Sequence, residues 1–449
     1  MTGLLTDLYQ LTMAAGYFEA GKADEIATFE LFFRHLPRYR NFVLAAGLEH
    51  IVDYLSKLTF TEEQIRYLQS LPQFKRIQPA FFEALRGFHF TGDLFAMPEG
   101  TPVFAGEPLV TVRAPLLQAQ IVETYLLASM GFQSLIATKA ARMVEASGGR
   151  AVVDFGTRRA HSPEAGVLAG RAAYIGGCIG SSNTETGYRY GIPVFGTAAH
   201  SWIQAFPTER EAFESLQSLL GEATVYLIDT YDTLAGARLA TQLGRPFWGV
   251  RLDSGNLVEL SRAVRKILDD AGFPDAKIMA TSDLNEYKIL EFTAARAPID
   301  AFGVGTDLAT STDSPNLGVV YKLVELGGRF TAKFSEDKHT LPGAKQVFRF
   351  STHDCIACSW ECIGCDASDE ESSRALLRPI LLGGELVEPL PDAASARKYA
   401  AESIQKLPTS IRSLFDTEQQ YRVEHSAELV KLYEKVQREN GLLRYRHAD

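Results

Sequence analysis

A single histidine, His200, stands on a turn of small residues directly after a short apolar run. The surrounding segment, residues 193–206, reads PVFGTAAHSWIQAF. The run before the turn predicts a strand, and a strand end fixes the backbone while it leaves a polar side chain accessible to a ligand. An imidazole in such a position can accept a proton or a phosphoryl group. A lone histidine is more often a core or capping residue, so its neighbours must decide between these two interpretations.

Short apolar runs alternate with helical segments from residue 151 to residues 319–323, which predicts parallel βαβ units. Polar residues follow most of these runs, and so many polar strand ends, with arginines among the acids, are hard to explain as helix caps alone. Because the carboxyl ends of barrel strands meet at one face, we predict one polar site at the mouth of an α/β barrel. The barrel is irregular or incomplete, because few strands are evident. The polar segments are residues 154–159, 196–200, 229–230, 251–255, 281–283 and 303–307.

The residue types at these strand ends favour the chemistry of anionic groups. The arginines can bind anionic oxygens, and the turn at residues 303–306 can cradle a phosphate with its backbone N–H groups. Asp253 and Asp283 could hold Mg²⁺ through water. Asp229 could hydrogen-bond one nitrogen of His200 and leave the other nucleophilic. These groups together predict a phosphoryl or glycosyl transfer site. The arginines concerned are Arg158, Arg159 and Arg251.

The chain that must position these groups divides into three predicted segments. Residues 1–130 form an N-terminal α+β domain, and residues 131–323 form the α/β barrel domain that carries the site. Residues 324–449 complete the non-barrel domain and contain a cysteine cluster at residues 355–365. The predicted fold is therefore α/β, with a second α+β domain built from N-terminal and later segments.

Local patterns predict several elements of the first segment. Residues 26–33 are rich in β-branched and aromatic side chains and predict a strand. Residues 4–18 and 43–58 have helical periodicity. Residues 116–146 contain no proline and predict two helices that are separated at Gly131.

The composition is that of an ordinary globular protein and excludes several functional classes. The chain has 449 residues, of which 46% are apolar and 22% charged, and its formal net charge is −10. That charge argues against binding to nucleic acid or to an anionic membrane. No apolar run reaches the roughly 18 residues of a transmembrane helix, and Asp7 interrupts an N-terminal run that lacks the basic region of a signal peptide. We therefore expect a cytoplasmic protein.

Seven stretches, in order along nearly the whole chain, resemble those of the nicotinate phosphoribosyltransferase family. The resemblance implies a type II phosphoribosyltransferase fold. It implies an enzyme, classed as a ligase, that joins nicotinate to 5-phosphoribosyl 1-pyrophosphate (PRPP) and forms nicotinate mononucleotide in NAD salvage, with ATP hydrolysis and Mg²⁺. It also implies a homodimer with active sites at the subunit interface. The stretches are LLTDLYQLTM from residue 4, DFGTRRAH from 154, GTAAHSW from 196, LIDTYDT from 227, GVRLDSGN from 249, ATSDLNEYKI from 280 and FGVGTDLATSTDSPNLGVVYKLVE from 302.

The resemblance assigns roles to matched residues. His200 corresponds to the histidine that the family phosphorylates from ATP, and Asp229 to the acid that orients it. Phe155 and Tyr9 correspond to the aromatic pair that sandwiches the pyridine ring, with Tyr9 from the neighbouring subunit. Thr197 corresponds to a residue beside the substrate. Arg158 and Arg251 correspond to the arginines of the nicotinate and phosphoribosyl sites. Asp253 and Asp283 correspond to the acids near ribose and pyrophosphate. Gly303, Gly305 and Thr306 correspond to the turn that binds the 5-phosphate.

The turn at residues 180–183 separates this chain from the related nicotinamide phosphoribosyltransferase. That enzyme carries an acid there, which accepts from the amide, whereas this chain has Ser181 and Ser182, which suit a carboxylate better. Arg159 adds positive charge after the matched Arg158. A nicotinamide-specific enzyme is the alternative, and quinolinate phosphoribosyltransferase fits worse because it lacks the phosphorylated histidine motif.

Cys355, Cys358, Cys362 and Cys365 form a C-x₂-C-x₃-C-x₂-C cluster. Two such pairs can bind one structural Zn²⁺, although the three-residue linker is shorter than in most zinc ribbons. An Fe–S cluster, a redox thiol pair or reduced cysteines without a metal remain as alternatives. This cluster departs from the family pattern, and a metal-binding or redox regulatory protein on a barrel scaffold is the rival function that it suggests.

Overall fold

The computed structural model describes most of the chain, and its residues fall into two compact units. We describe each unit separately. The first unit comprises Met1–Ser134, Asn316–Pro391 and Glu402–Asp449, and the second comprises Leu135–Pro315 and Asp392–Ala401. The predicted domain limits at residues 130 and 323 stay a prediction. The described residues are 2–335, 338–364, 372–415 and 420–439.

Helices of the second unit repeatedly begin at a residue whose side chain caps them. Ser162, Asn183, Thr208, Asp232 and Asn256 each accept a hydrogen bond from a backbone N–H of the first helical turn, which satisfies a donor that has no partner within the helix. Within the described residues, no helix combines the length and the apolar character needed to cross a membrane. The helices are α1 (Leu8–Glu19), α2 (Leu48–Lys57), α3 (Glu62–Ser70), α4 (Pro79–Arg86), α5 (Leu116–Ile121), α6 (Glu123–Ala146), α7 (Pro163–Ile175), α8 (Thr184–Tyr190), α9 (His200–Gln204), α10 (Glu209–Leu220), α11 (Thr233–Gln242), α12 (Leu257–Asp270), α13 (Glu286–Ala294), α14 (Thr306–Thr310), α15 (Ala393–Gln405), α16 (Thr409–Arg412) and α17 (Ala427–Glu439).

The strands are short, and many contain only buried residues. Short 3₁₀ turns lie at Pro72–Phe74, Thr157–Arg159 and Gly221–Ala223. The strands are β1 (Ile26–Phe33), β2 (Val43–Leu44), β3 (Asp93–Ala96), β4 (Pro102–Val103), β5 (Val110–Pro115), β6 (Ala151–Asp154), β7 (Gly180–Ser181), β8 (Val225–Leu227), β9 (Gly249–Leu252), β10 (Lys277–Ala280), β11 (Ala301–Val304), β12 (Val319–Leu326), β13 (Arg329–Phe330), β14 (Phe334–Ser335), β15 (Lys338–His339), β16 (Lys345–Arg349), β17 (His353–Cys358), β18 (Arg374–Ala375), β19 (Arg378–Leu382), β20 (Glu385–Leu386) and β21 (Arg422–His425).

The second unit is built on a parallel sheet with the strand order β7-β6-β11-β10-β9-β8. All of its pairings are parallel. Strand β11 is buried along its whole length, as expected of strands with both faces covered. The predicted alternation of strands and helices is confirmed, but the run at residues 194–195 forms only a single bridge from Val194 to Ser181. Closure of this sheet into a barrel stays a prediction.

The first unit contains an antiparallel sheet with the order β13-β12-β1-β5-β3-β19-β20. Strand β1, which confirms the predicted strand at residues 26–33, lies between β12 and β5. The prediction for residues 319–323 was right about the strand and wrong about its sheet, since β12 pairs antiparallel with β1 rather than continuing the parallel sheet. A short apolar run does not reveal the direction of its partner, which explains the error.

Two predicted helix boundaries differ from the structure. The helical region 116–146 is interrupted at Val122, and Gly131 lies inside α6. A Cβ at Gly131 would approach Val319 Cγ2 to 3.3 Å, so this glycine permits close packing instead of ending a helix. The predicted helix at residues 43–58 begins only at Leu48, after Gly47 with φ of 113°. That conformation favours glycine and separates β2 from α2.

Candidate active site

Two neighbouring cavities of the second unit are lined by the segments that follow its parallel strands. The glycine-side cavity, which contains the turn at residues 303–306, has a volume of about 240 Å³. The histidine-side cavity, which contains His200, has a volume of about 430 Å³. Both cavities share one wall, formed by Phe155, Arg158, Arg251 and Asp253. The predicted convergence of polar strand ends is therefore present in the structure.

Most of the sequence-predicted site residues line these cavities. Ser182, Thr197 and His200 belong to the histidine-side cavity alone. Asp229 is absent from the lining of both. Arg159, whose charge we predicted to favour a substrate carboxylate, lines the glycine-side cavity instead. The residues of the glycine-side cavity beyond the shared wall are Arg159, Thr281, Ser282, Asp283, Gly303, Gly305 and Thr306.

Arg251 connects several segments of the shared wall. Its Nε donates to Thr281 Oγ1 at 3.0 Å, and its Nη1 donates to Thr197 Oγ1 at 2.7 Å. Its Nη2 lies 3.1 Å from Asp253 Oδ1. The planar fork of the guanidinium thus fixes the segments that follow β9, β10 and the bridge at Val194. The sequence predicted Arg251 as an anion-binding residue but did not reveal these contacts.

Asp253 is an ionised acid in the middle of the wall. Burial alone would raise its pKa, but the Thr281 hydroxyl, the Arg251 guanidinium and His200 outweigh burial and hold the pKa below its usual value. Its Oδ2 lies 3.6 Å from His200 Nε2. Asp253 therefore places a negative charge on the shared wall at neutral pH.

The imidazole of His200 projects from the first residue of α9 and is 41% exposed. Its Nδ1 lies 3.1 Å from Thr230 Oγ1, within hydrogen-bonding distance. We predicted that Asp229 would orient His200, but among the described residues the contacts of His200 are with Thr230 and Asp253. Asp229 Oδ2 instead accepts from Asp253 N at 3.0 Å and from Ser254 Oγ at 2.6 Å. Asp229 therefore supports the loop that carries Asp253.

A buried acid, Asp154, ties together the two turns that flank the histidine-side cavity. Its Oδ1 accepts from Gly156 N at 2.8 Å, and its Oδ2 accepts from Ser181 Oγ at 2.7 Å. Burial raises the pKa of Asp154, whereas these two hydrogen bonds lower it. The Phe155 turn and the turn that carries Ser182 are thereby held in one arrangement. The sequence showed Asp154 only as a polar strand end, and no spacing signal indicated this link.

Glycine is required where the backbone of the glycine-side cavity meets the ring of Phe155. A Cβ on Gly303 would lie 2.6 Å from Phe155 Cδ2 and 2.7 Å from Thr281 Cγ2. Ser282 and Asp283, which also line this cavity, have φ of 92° and 41°. Such values are rare for residues with a side chain and concentrate at functional sites. The cavity thus combines a glycine turn with a strained acidic loop.

Arg158 and Arg159 are exposed on the 3₁₀ turn that follows Phe155. Within the described residues, neither guanidinium has a hydrogen bond or an ion pair. Arg158 faces both cavities and Arg159 only the glycine-side cavity. Unpaired guanidinium groups at a concave surface are available to anionic oxygens of a ligand.

Tyr9 belongs to the first unit, where it lies on α1 with half of its surface exposed. Its hydroxyl donates to Glu123 Oε1 at 3.4 Å. The predicted stacking of Tyr9 in the active site of a neighbouring subunit stays a prediction.

The cysteine cluster lies in the first unit. Cys355 and Cys358 are buried on β17, three positions apart, so their side chains leave opposite faces of the strand. Burial raises the pKa of both thiols, that of Cys358 to about 12. Cys362 follows the strand, and Cys365 lies outside the described residues. Within the part of the chain that is described, no three His, Cys, Asp or Glu residues form a metal site. The four-cysteine Zn²⁺ site stays a prediction, which metal analysis of the purified protein tests.

Comparisons with known proteins agree with this arrangement of residues. Residues 4–130 match the model of the nicotinate phosphoribosyltransferase (NAPRTase) N-terminal domain, and residues 150–340 match the model of the NAPRTase family. The nicotinate phosphoribosyltransferase pncB2 of Mycobacterium tuberculosis is 44% identical, over 99% of this chain and 94% of that protein. The nicotinate phosphoribosyltransferase of Bacillus subtilis is 46% identical, over 77% of this chain and 72% of that protein.

A solved structure resembles the whole chain. The crystal structure of human nicotinic acid phosphoribosyltransferase superimposes with a TM-score of 0.85 at 31% sequence identity, and the match covers 96% of this chain and 100% of the human chain. The resemblance therefore includes the fold as well as the motifs at the strand ends. On these grounds the chain belongs to the nicotinate phosphoribosyltransferase family.

Proposed function

We propose that this chain joins nicotinate to PRPP and forms nicotinate mononucleotide and pyrophosphate, as a step of NAD salvage. The observation that carries the proposal is the shared wall between two cavities of different character. The glycine-side cavity suits the phosphates and the ribose, since it combines unpaired arginine with a glycine turn. The histidine-side cavity suits the pyridine carboxylate, since it offers Ser182 and Arg158.

The reaction places two demands on the residues of the shared wall. The pyridine nitrogen attacks carbon 1 of the ribose while the bond to pyrophosphate breaks, so both partners must be aligned at one point. Phe155 can stack on the pyridine ring, and Arg251 lies where the two cavities meet. A guanidinium that is already fixed by Thr197, Thr281 and Asp253 can stabilise the departing negative charge without reorganising.

Two acids of the glycine-side cavity fit a Mg²⁺ ion. Asp253 and Asp283 both line it, and the Asp283 carboxylate has no hydrogen bond or ion pair to the described residues. Carboxylate oxygens and water are the ligands that Mg²⁺ prefers. When bound, the ion would neutralise charge on the pyrophosphate group. Asp253 and Asp283 would hold it through its water ligands.

We propose further that ATP hydrolysis is coupled to the reaction through phosphorylation of His200. In this step the Nε2–P bond forms, the bond between the γ-phosphorus and the bridging oxygen breaks, and ADP leaves. The Thr230 hydroxyl contacts Nδ1 and keeps Nε2 turned towards Asp253 at the cavity wall. Phosphorylation would add negative charge next to Asp253 of the shared wall, which can change the affinities of both substrates without touching the reacting carbon.

The proposed assembly is a homodimer with its active sites at the subunit interface. The observation in its favour is the exposed ring of Tyr9 on α1, near the exposed Leu5, Leu8 and Met13. Sedimentation equilibrium of the purified protein tests it. A monomer at micromolar concentration that retains full activity would contradict it.

Two substitutions should show which substrate each cavity binds. In Ser182→Asp, the new carboxylate repels the nicotinate carboxylate by about 4 kcal/mol at about 4 Å and an effective dielectric constant of about 20. Because the cavity is open to solvent, we expect the KM for nicotinate to rise on the order of 100-fold. Arg159→Ala should instead raise the KM for PRPP by roughly 10-fold, through loss of a charged contact to phosphate. Steady-state kinetics with each substrate varied in turn measure both values.

If Ser182→Asp raised mainly the KM for PRPP and Arg159→Ala mainly the KM for nicotinate, the substrates assigned to the two cavities would have to be exchanged. The alternative function, a nicotinamide-specific enzyme, makes a distinct prediction for the same variants. If the native substrate is nicotinamide, Ser182→Asp improves its use, because the carboxylate can accept from the amide. The rival metal-binding or redox function predicts no pyridine nucleotide product from the wild-type protein.

A further inference from the structure

A buried lysine lies behind the glycine-side cavity and contacts three acids. Lys139 on α6 is 1% exposed, and its Nζ lies 2.7 Å from Glu286 Oε2 and 2.8 Å from Asp313 Oδ1. Asp307 Oδ2 lies 3.5 Å from the same nitrogen. Arg142, one turn further along α6, donates from Nε to the other oxygen of Glu286 at 2.9 Å. A buried ammonium group is costly unless it is paired, so this cation and its acids form one structural cluster.

Two acids of this cluster, Glu286 and Asp307, lie close in sequence to segments that line the glycine-side cavity. Glu286 is the first residue of α13 and follows the acidic loop at Ser282 and Asp283 by three positions. Asp307 follows Thr306, the last residue of the glycine turn. One ammonium group therefore contacts an acid close in sequence to each of two segments that line the glycine-side cavity, the acidic loop and the glycine turn.

The acidic loop needs such an anchor because its backbone is strained. Ser282 and Asp283 both have positive φ, and a residue with a side chain keeps such a conformation only where the surrounding structure enforces it. On the exposed side, Lys288 Nζ donates to Asp283 O at 2.9 Å. On the buried side, the anchor is Glu286, which is fully buried between Lys139 and Arg142.

We propose that Lys139 is a positioning residue for PRPP: it sets the separation between the acidic loop and the glycine turn, and thereby the fit of the cavity to the phosphoribosyl group. The histidine-side cavity includes neither Ser282 nor Asp283 nor Thr306 among its lining residues. Loss of Lys139 should therefore weaken the binding of PRPP and leave nicotinate binding nearly unchanged. This proposal rests on the proposed function.

The test uses the full-length enzyme with Lys139→Met, which keeps an unbranched side chain one heavy atom shorter and removes its charge. We expect the KM for PRPP to rise by about 10-fold or more and the KM for nicotinate to change by less than about 2-fold. Arg142→Met is the matched variant, because Arg142 contacts Glu286 and has no ion pair with Asp307, and its effect should be smaller. Direct binding of ribose 5-phosphate, measured by calorimetry, should weaken in parallel with the KM for PRPP.

Several outcomes would overturn the proposal. Equal changes in both KM values, or a lower melting temperature with both KM values unchanged, would show that Lys139 serves stability alone. If Lys139→Met does not fold, Asp307→Asn replaces it, since this partly exposed acid can be neutralised while the pairs of Lys139 with Glu286 and Asp313 remain. An unchanged KM for PRPP in a folded Asp307→Asn enzyme would also contradict the proposal. Wild-type protein that forms no product would instead refute the proposed function.

Discussion

His200→Ala should lose the stimulation of product formation by ATP while it retains basal transfer from PRPP. The imidazole is exposed to the histidine-side cavity and has no contact with the glycine turn that would hold the 5-phosphate. Its role in the account is to accept a phosphoryl group and not to touch the reacting carbon. We expect rates with and without ATP to agree within about 2-fold in the variant, and a basal rate within about 3-fold of the wild-type value without ATP.

The measurement is initial rate with saturating PRPP and nicotinate, with and without ATP, together with labelling from γ-phosphate-labelled ATP. The label should be stable to base and labile to acid in the wild type and absent from His200→Ala. His89→Ala is the control, because His89 is an exposed histidine of the first unit whose one hydrogen bond to the described residues is to Gly87 O. ATP stimulation that persists in His200→Ala would remove the phosphohistidine from the mechanism.

Arg251→Met should cause the largest loss of basal activity of any single substitution in the shared wall. The change removes the charge that, in the proposed reaction, would stabilise the departing pyrophosphate, and loss of one such donor lowers kcat by about 10²–10³-fold in comparable sites. It also leaves Asp253, Thr197 and Thr281 without their common partner. We therefore expect kcat/KM to fall by about 10³-fold or more, with or without ATP.

Arg251→Lys distinguishes charge from geometry. A lysine restores the positive charge but cannot contact three segments in fixed directions, so activity should recover to less than about 10% of the wild type. Arg210→Met is the matched control, since Arg210 is an exposed arginine of α10 whose polar contacts among the described residues are with Gln242 and Glu214. Near-normal kcat/KM in a folded Arg251→Met enzyme would exclude Arg251 from the reaction.

The convergence of the active-site segments was predictable because parallel βαβ units bring the carboxyl ends of their strands to one edge. Phe155 follows β6, Arg251 lies near the end of β9 and Gly303 near the end of β11, and all three line one cavity although they are far apart in sequence. This inference needs only the strand pattern and the direction of the chain. It does not need the strand order, which the sequence left open.

The partner of His200 shows where sequence inference stops. Asp229 and Thr230 are adjacent at the end of one strand, and side chains of adjacent residues point in different directions there. Chemical type favoured the acid, whereas the backbone directs Asp229 to the loop at Asp253 and Ser254 and brings Thr230 to the imidazole. Tertiary packing decides which of two adjacent side chains points towards the imidazole, and neither composition nor spacing reveals that choice.

Nothing in the sequence indicated that Lys139 is buried and paired with acids. A lysine in a helix most often faces solvent, and its acids are 147 to 174 positions away, as the residue numbers of Glu286 and Asp313 show. The sheet that contains β12 was predicted wrongly for a related reason. Strand β12 pairs with β1, which begins at residue 26 and is therefore far away in sequence. Contacts between distant segments depend on the fold as a whole.

The most direct test of the account is product formation by the purified wild-type protein with PRPP and either nicotinate or nicotinamide, each with and without ATP. The account predicts nicotinate mononucleotide, a rate that rises with ATP, and a kcat/KM for nicotinamide lower by about 100-fold or more, because the amide lacks the charge that Arg158 pairs with. Equal or better use of nicotinamide, or no nucleotide product from either substrate, would contradict it.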